Sequence, residues 1–248
     1  MSRANSNYLL FMASLPKPKA SVLYYKGPQN DGVFSGIQTN TGPSKYLQAV
    51  LAAEGEQFDK IIMLCTEEVE NQVFENLGGV TTVDYYKGQM IGHASELGIY
   101  LDNNSFKTIP YSIAEAEKVA EILSPIMTIL ELAQSGQTNK RLYIDFTGGA
   151  RTAAMVLLFA ARYLEAQGVE TANIIYANLL YGTGEDAEHP APIEEYTKVF
   201  ETFSLFAGRV EHEEAGNSQR WQEFARKYGP REQADLQRLA SDASAPKK

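Results

Sequence analysis

Cysteine is almost absent from this sequence. Cys65 stands alone among 248 residues, so neither an intrachain disulfide nor a cysteine metal cluster can form. Histidine is scarce as well: His93, His189 and His212 are far apart and no His-Glu-x-x-His occurs, which gives metal chemistry poor support. Positive charge is short. Twenty-two Lys and Arg face 31 Asp and Glu, a net charge of −9, whereas a protein that grips long nucleic acid must displace many counterions with cations. Any anionic ligand is therefore small and locally held. Long apolar runs are lacking too, since the longest, 153–161, falls far short of the roughly 20 residues that span a bilayer. The start is polar through Asn7 and apolar only over 8–13, unlike a secretory leader. Gly-x-Gly-x-x-Gly after a strand and Gly-x-x-x-x-Gly-Lys-Ser/Thr are both missing, which argues against nicotinamide, flavin and ATP. The expectation is an acidic cytoplasmic protein with no metal, no cofactor and no membrane partner.

What is present reads as alternating strands and helices. Strands are expected over 7–15 and 20–26, where Val, Leu, Tyr and Phe dominate around the Pro16–Pro18 break, and over 60–64, 80–86, 106–111, 140–146 and 171–180. The run at 60–64 is apolar without alternation, as in a strand buried on both faces. Helices are expected from Pro43 to about Ala53, with Tyr46, Leu47, Val50 and Leu51 on one stripe, and from the Thr66 cap to about Leu77. Further helices are expected over 113–134, 150–167 and 193–206. The one at 150–167 is apolar on nearly every side, which suits a domain centre or a subunit interface. The polar, glycine-rich stretch 27–42 is long for a connection and is expected to be a functional loop, mobile until a ligand is bound. Such a chain folds as α/β, a Rossmann-like, mostly parallel sheet flanked by helices, over residues 1–206. A polar helical extension follows over 207–248 and frays at its end.

In open α/β sheets, ligands lie beyond the carboxyl ends of the strands where strand order reverses. The candidates are therefore Ser14, the Gln38-Thr39-Asn40-Thr41 segment, Cys65-Thr66-Glu67, the turn from Thr147 to Thr152, and Asn178. The turn carries the best chemistry. Gly148 and Gly149 let the backbone approach a ligand closely, the following helix offers its first amides, and Thr147, Arg151 and Thr152 add donors suited to phosphate. A bland reading stands beside each feature. Gly-Gly serves any tight turn, Arg151 can pair with Glu67, Asp145 can hold the loop, and Cys65 can be a packing residue. The run Glu67-Glu68-x-Glu70 suits a solvated helical turn, and Trp221 and Phe224 suit anchoring of a tail helix.

The segment Ile144-Asp145-Phe146-Thr147-Gly148-Gly149-Ala150-Arg151-Thr152, followed by a strongly apolar helix, resembles the strand end Asp-x-Thr-Gly/His-Gly-x-Arg of the CRISPR-associated Rossmann fold (CARF) domains. Ile61-Ile62-Met63-Leu64 running into Cys65-Thr66-Glu67 is similar to that family's other ligand-facing strand end, and order and spacing fit over 7–206. The resemblance implies a homodimer that binds a cyclic oligoadenylate across its two-fold axis. Cyclic tetra-adenylate is favoured over hexa-adenylate, and the setting is type III CRISPR antiviral defence. It implies ligand contacts from Ser14, Gln38, Thr39, Asn40, Thr41, Cys65, Thr66, Glu67, Thr147, Gly148, Gly149, Arg151, Thr152 and Asn178. Some members also cleave the ring without metal, the ribose 2′-oxygen attacking the adjacent phosphorus to leave a 2′,3′-cyclic phosphate. For that step the resemblance points to Arg151, Thr147, Ser14, Thr41, Lys45 and the amides around Gly148 and Gly149.

The tail departs from the family pattern. It has no Arg-x-x-x-x-His, no nuclease carboxylate cluster and no deaminase His and Cys set, so either this is the sensor half of a longer protein with the tail as linker, which is favoured, or the sensor domain acts alone. Two other classes remain open: a phosphohydrolase or nucleotide enzyme working at the Thr147–Arg151 turn, and a transcriptional regulator. The regulator is disfavoured because Arg209, Arg220, Arg226, Lys227, Arg231 and Arg238 are interspersed with acids.

Overall fold

The computed structural model describes residues 5–16, 21–28, 32–112, 127–128, 130–131, 139–149, 151–179 and 183–215. Its centre is an eight-stranded sheet. In chain order the strands are β1 (Asn5–Met12), β2 (Leu23–Lys26), β3 (Val33–Gly36), β4 (Lys60–Cys65), then, past a small separate hairpin of β5 (Val73–Phe74) and β6 (Val80–Thr81), β7 (Phe106–Pro110), β8 (Asn139–Asp145), β9 (Glu170–Ala177) and β10 (Ala191–Glu195). The sheet order is β3-β2-β10-β9-β8-β1-β4-β7. From β9 to β7 every neighbouring pair is parallel, whereas β10 runs antiparallel to β9 and β3 antiparallel to β2. This is the Rossmann-like α/β architecture expected from the alternation of elements.

The parallel strands are hydrophobic because both of their faces are covered. Leu9, Phe11, Ile61, Met63 and Tyr143 form a core on one face with Leu47, Leu51, Tyr86 and Met90. Phe11 meets Tyr86 at 5.1 Å between ring centroids, and Phe58 meets Tyr143 edge-on at 5.6 Å. Each such side chain contributes about 1.5–3 kcal/mol by leaving water. Two helices bring these partners: α1 (Thr41–Ala53), with its expected stripe of Tyr46, Leu47 and Leu51 buried, and α3 (Thr82–Glu96). Between them lies the short α2 (Glu67–Asn71), and α4 (Arg151–Ala166) follows the glycine turn.

Four expectations are corrected. Residues 80–86 are not one strand: pairing stops at Thr81, whose Oγ1 accepts from the Asp84 amide at 3.1 Å and caps α3. The β-branched residues that read as strand belong to a helical face on which Val83, Tyr86, Met90 and Ala94 are buried. The helix from Thr66 stops at Asn71, because Gln72 turns extended and leads into β5. The helix expected over 193–206 is replaced at its start by β10, where Ala191 and Ile193 point inward and Pro192 outward, and helix α5 (Thr197–Ala215) begins only after it. The stretch 27–42 is no plain loop, since β3 pairs with β2 and α1 starts at Thr41; residues 29–31 lie outside the described residues. The expected helix over 113–134 also falls outside them, apart from helical residues at 127, 128, 130 and 131.

Compact units divide at Thr197 and Lys198, just past β10. Residues 216–248 lie outside the described residues. No described helix is long and apolar enough to cross a membrane.

α4 departs from the all-round burial that its composition suggests. Ala153, Val156, Leu157, Ala160, Ala161 and Leu164 are buried, yet Met155, Phe159 and Tyr163 stand 60%, 52% and 45% exposed. They recur every fourth residue and so share one stripe of the outer face.

Candidate ligand site

From β1 the chain runs to β2 and β3 at the far edge of the sheet, returns through α1 to β4 beside β1 and on to β7, and then places β8 on the other side of β1. Strand order reverses at β1, so the crevice of the fold opens beyond the carboxyl ends of β1 and β8. The polar residues that leave those two ends meet there.

Asp145 closes β8 and is wholly buried. Its Oδ1 accepts from the Thr147 amide at 2.8 Å and its Oδ2 from Asn40 Nδ2 at 3.0 Å. Burial pushes its carboxyl up to about 6, against the pull of these donors. Asn40, in the bend that enters α1, spans the crevice: its Oδ1 accepts from Ser14 Oγ at 3.0 Å, and Ser14 lies 2.7 Å from Thr39 Oγ1. With Asn40 nitrogen committed to a carboxylate, its oxygen needs the Ser14 proton, so Ser14 in turn accepts from Thr39. Gln38 braces the same segment, donating from Nε2 to the Ser14 carbonyl at 3.2 Å and the Thr82 carbonyl at 3.3 Å.

Each glycine of the turn has its own structural reason. A Cβ on Gly148 would strike the Asn40 carboxamide, and one on Gly149 would strike the Met12 side chain. Gly149 also holds φ +84°, a left-handed conformation that glycine adopts without strain. Thr147 pins the turn from the other side, its Oγ1 accepting from the Ala177 amide at 2.8 Å. The plain-turn reading of Gly-Gly thus has a full packing explanation, and the same packing leaves Gly149 backbone exposed at the mouth of the crevice.

Of the expected site residues, Ser14, Gln38, Thr39, Asn40, Thr147, Gly148 and Gly149 come together. Asp145, set aside at first as a loop-holding residue, is the hub between them. Its signal was an acid ending an apolar strand, and its partner lies 105 positions away. Thr41 turns away from the crevice, fully buried against Gly36 where no Cβ stands in its path. Lys45 Nζ donates to the Ser35 carbonyl at 3.0 Å and to Gln89 Oε1 at 3.1 Å, on the flank of α1, and burial lowers its pKa.

Cys65 and Thr66 lie at the neighbouring carboxyl end of β4. Burial pushes the Cys65 thiol up to about 12, the state of a packing cysteine and not of a nucleophile. Thr66 is engaged in capping α2, accepting from the Val69 amide at 3.3 Å, and Glu67 is exposed in the first turn of that helix. Thr152 accepts from the Tyr111 hydroxyl at 3.4 Å, and Asn178, past the end of β9, donates from its amide to the Pro192 carbonyl at 3.0 Å. The Arg151 side chain lies outside the described residues, although its backbone opens α4. No group of three or more His, Cys, Asp or Glu able to hold a metal occurs among the described residues.

The arrangement offers a preorganised polar wall, exposed glycine backbone and a helix N-terminus on one crevice, which is the chemistry of a small polyanion site. Searches of protein-family models and of curated proteins return no match to the chain.

Proposed function

We propose that this chain is a CARF-type sensor that binds a cyclic oligoadenylate as a homodimer, serves type III CRISPR defence, and controls an effector. The observation that carries the reading is the meeting of Ser14, Thr39, Asn40 and Asp145 with the Thr147-Gly148-Gly149 turn at the point where strand order reverses. The Gly148–Gly149 amides and Arg151 would take the phosphates, and the hydroxyl wall would face the ribose and base. Dimerisation is supported by the Met155-Phe159-Tyr163 stripe, which runs from the turn along α4. A two-fold axis on that stripe sets two crevices side by side, where each residue acts twice on a two-fold ring. Ring opening, if it accompanies binding, needs only alignment of the 2′-oxygen, the phosphorus and the departing 5′-oxygen.

A thermal-shift series with linear and cyclic tri-, tetra- and hexa-adenylates, followed by chromatography of each mixture, tests the reading. One ring should raise the midpoint of unfolding and its linear form should not. An unchanged ring peak means a sensor alone, and conversion to linear product means a sensor that ends its own signal. Arg151→Ala should weaken ring binding by about 1.5–3 kcal/mol with the dimer intact. No shift with any ring, together with turnover of generic nucleotides, transfers the turn to a phosphohydrolase.

A further inference from the structure

The two ends of α1 border different concavities. Its N-cap residue, Asn40, lies in the crevice. Its later turns form one wall of a cleft of about 490 Å³ on the flank of the sheet, closed by β3, β9 and β10. That volume suits a small organic ligand. Phe34 and Tyr46 supply an aromatic corner with ring centroids 5.8 Å apart and edge-on, and Val50 continues it as an apolar surface.

The polar groups of the cleft are acidic and unequally satisfied. Glu54 is paired with Arg141 at 3.3 Å. Glu195 has no cationic partner among the described residues. It is exposed at the mouth of the cleft and oriented by a neutral donor: the Tyr46 hydroxyl reaches Oε1 at 3.1 Å, with Asn173 Nδ2 at the longer 3.5 Å, which leaves Oε2 open. Asn173 is itself fixed, since its Oδ1 accepts from the Thr197 hydroxyl at 3.2 Å. A carboxylate oriented by a tyrosine, with aromatic rings beside it and no cation of its own, complements a positive charge on an apolar body.

We propose that this cleft binds a small organic cation, an ammonium or guanidinium whose apolar body lies against Phe34, Tyr46 and Val50 while its charge meets Glu195. This site is separate from the crevice at Asp145 and does not depend on the identity of the ligand there.

The test uses the whole chain and three probes of one shape: tyramine, neutral p-cresol and anionic 4-hydroxyphenylacetate, each titrated by NMR with side-chain and backbone shifts recorded. Tyramine should saturate with shifts at Phe34, Tyr46 and Asn173, p-cresol should bind at least about tenfold more weakly, and the anion should not bind. Glu195→Gln should reduce tyramine affinity roughly tenfold without altering that of p-cresol, and added salt should weaken tyramine alone. Val50→Trp should block the two binders by filling the apolar floor. Equal affinity for tyramine and p-cresol, no response to tyramine up to roughly 10 mM, or an unchanged tyramine affinity in Glu195→Gln would each overturn the proposal.

Discussion

The crevice and the outer face of α4 start from the same glycine turn and are built in opposite ways. In the crevice polar atoms are committed in series: Thr39 to Ser14, Ser14 to Asn40, Asn40 to Asp145, and Asp145 to the Thr147 amide. On α4, Met155, Phe159 and Tyr163 keep about half of their largely apolar surface open to solvent. Hydrogen bonds are directional and costly to leave unmade when buried, so this chain of donors and acceptors is closed within one protomer. Apolar contact is non-directional and proportional to area, so the α4 face gains its stabilisation only when a second surface covers it. The first is held by the fold itself; the second is the surface on which the proposed dimer would close.

Substitutions can break this contrast, and they rank by their effect on the chain's own stability. Gly149→Val combines a left-handed backbone with a collision at Met12 and should cost about 2–4 kcal/mol in denaturant unfolding. A smaller, pH-dependent effect belongs to Asp145. Its carboxyl is raised from 3.8 to about 6 in the folded chain, so the proton it binds stabilises the fold fully below pH 3.8. That contribution is lost as pH rises through 6. Against Asp145→Asn, wild-type unfolding free energy should therefore fall between pH 4 and 6.5 by up to about 3 kcal/mol, and a parallel pH profile for the two would refute the buried-acid account. Asn40→Ala leaves one Asp145 oxygen without its side-chain donor and should cost about 1–3 kcal/mol at pH 7.5, with less cost at pH 5. Phe159→Glu, on the exposed stripe, should change monomer stability by no more than about 0.5 kcal/mol, and under the proposed homodimer it should convert the dimer to monomer in sedimentation velocity. A Phe159→Glu chain that still dimerises would place the two-fold contact elsewhere.

Legibility in the sequence followed burial. The strands at 60–65, 106–110 and 139–145 were readable because two covered faces demand continuous apolar residues. The flank was not. β2, β3 and β10 are four or five residues long, and over so few positions a helical and a strand pattern coincide. α3 was misread because Val80, Thr81, Thr82 and Val83 favour strands by local preference, while the Thr81 cap and the burial of Tyr86 and Met90 favour a helix. At the site, Thr147, Gly148 and Gly149 announced themselves through residue type and place. Thr41 and Lys45 looked equivalent to Asn40 in sequence, and only their directions on α1 separate them.

The sequence by itself determined the α/β class, the parallel centre and the turn at which a ligand can approach backbone, since these depend on local composition and spacing. Tertiary structure alone decided that Asp145 finds Asn40, that α4 keeps one apolar face bare, and that Glu195 stands at the mouth of an aromatic cleft. Each of these depends on which strand lies beside which. Sheet order is set by long-range pairing, for which neighbouring residues carry no signal.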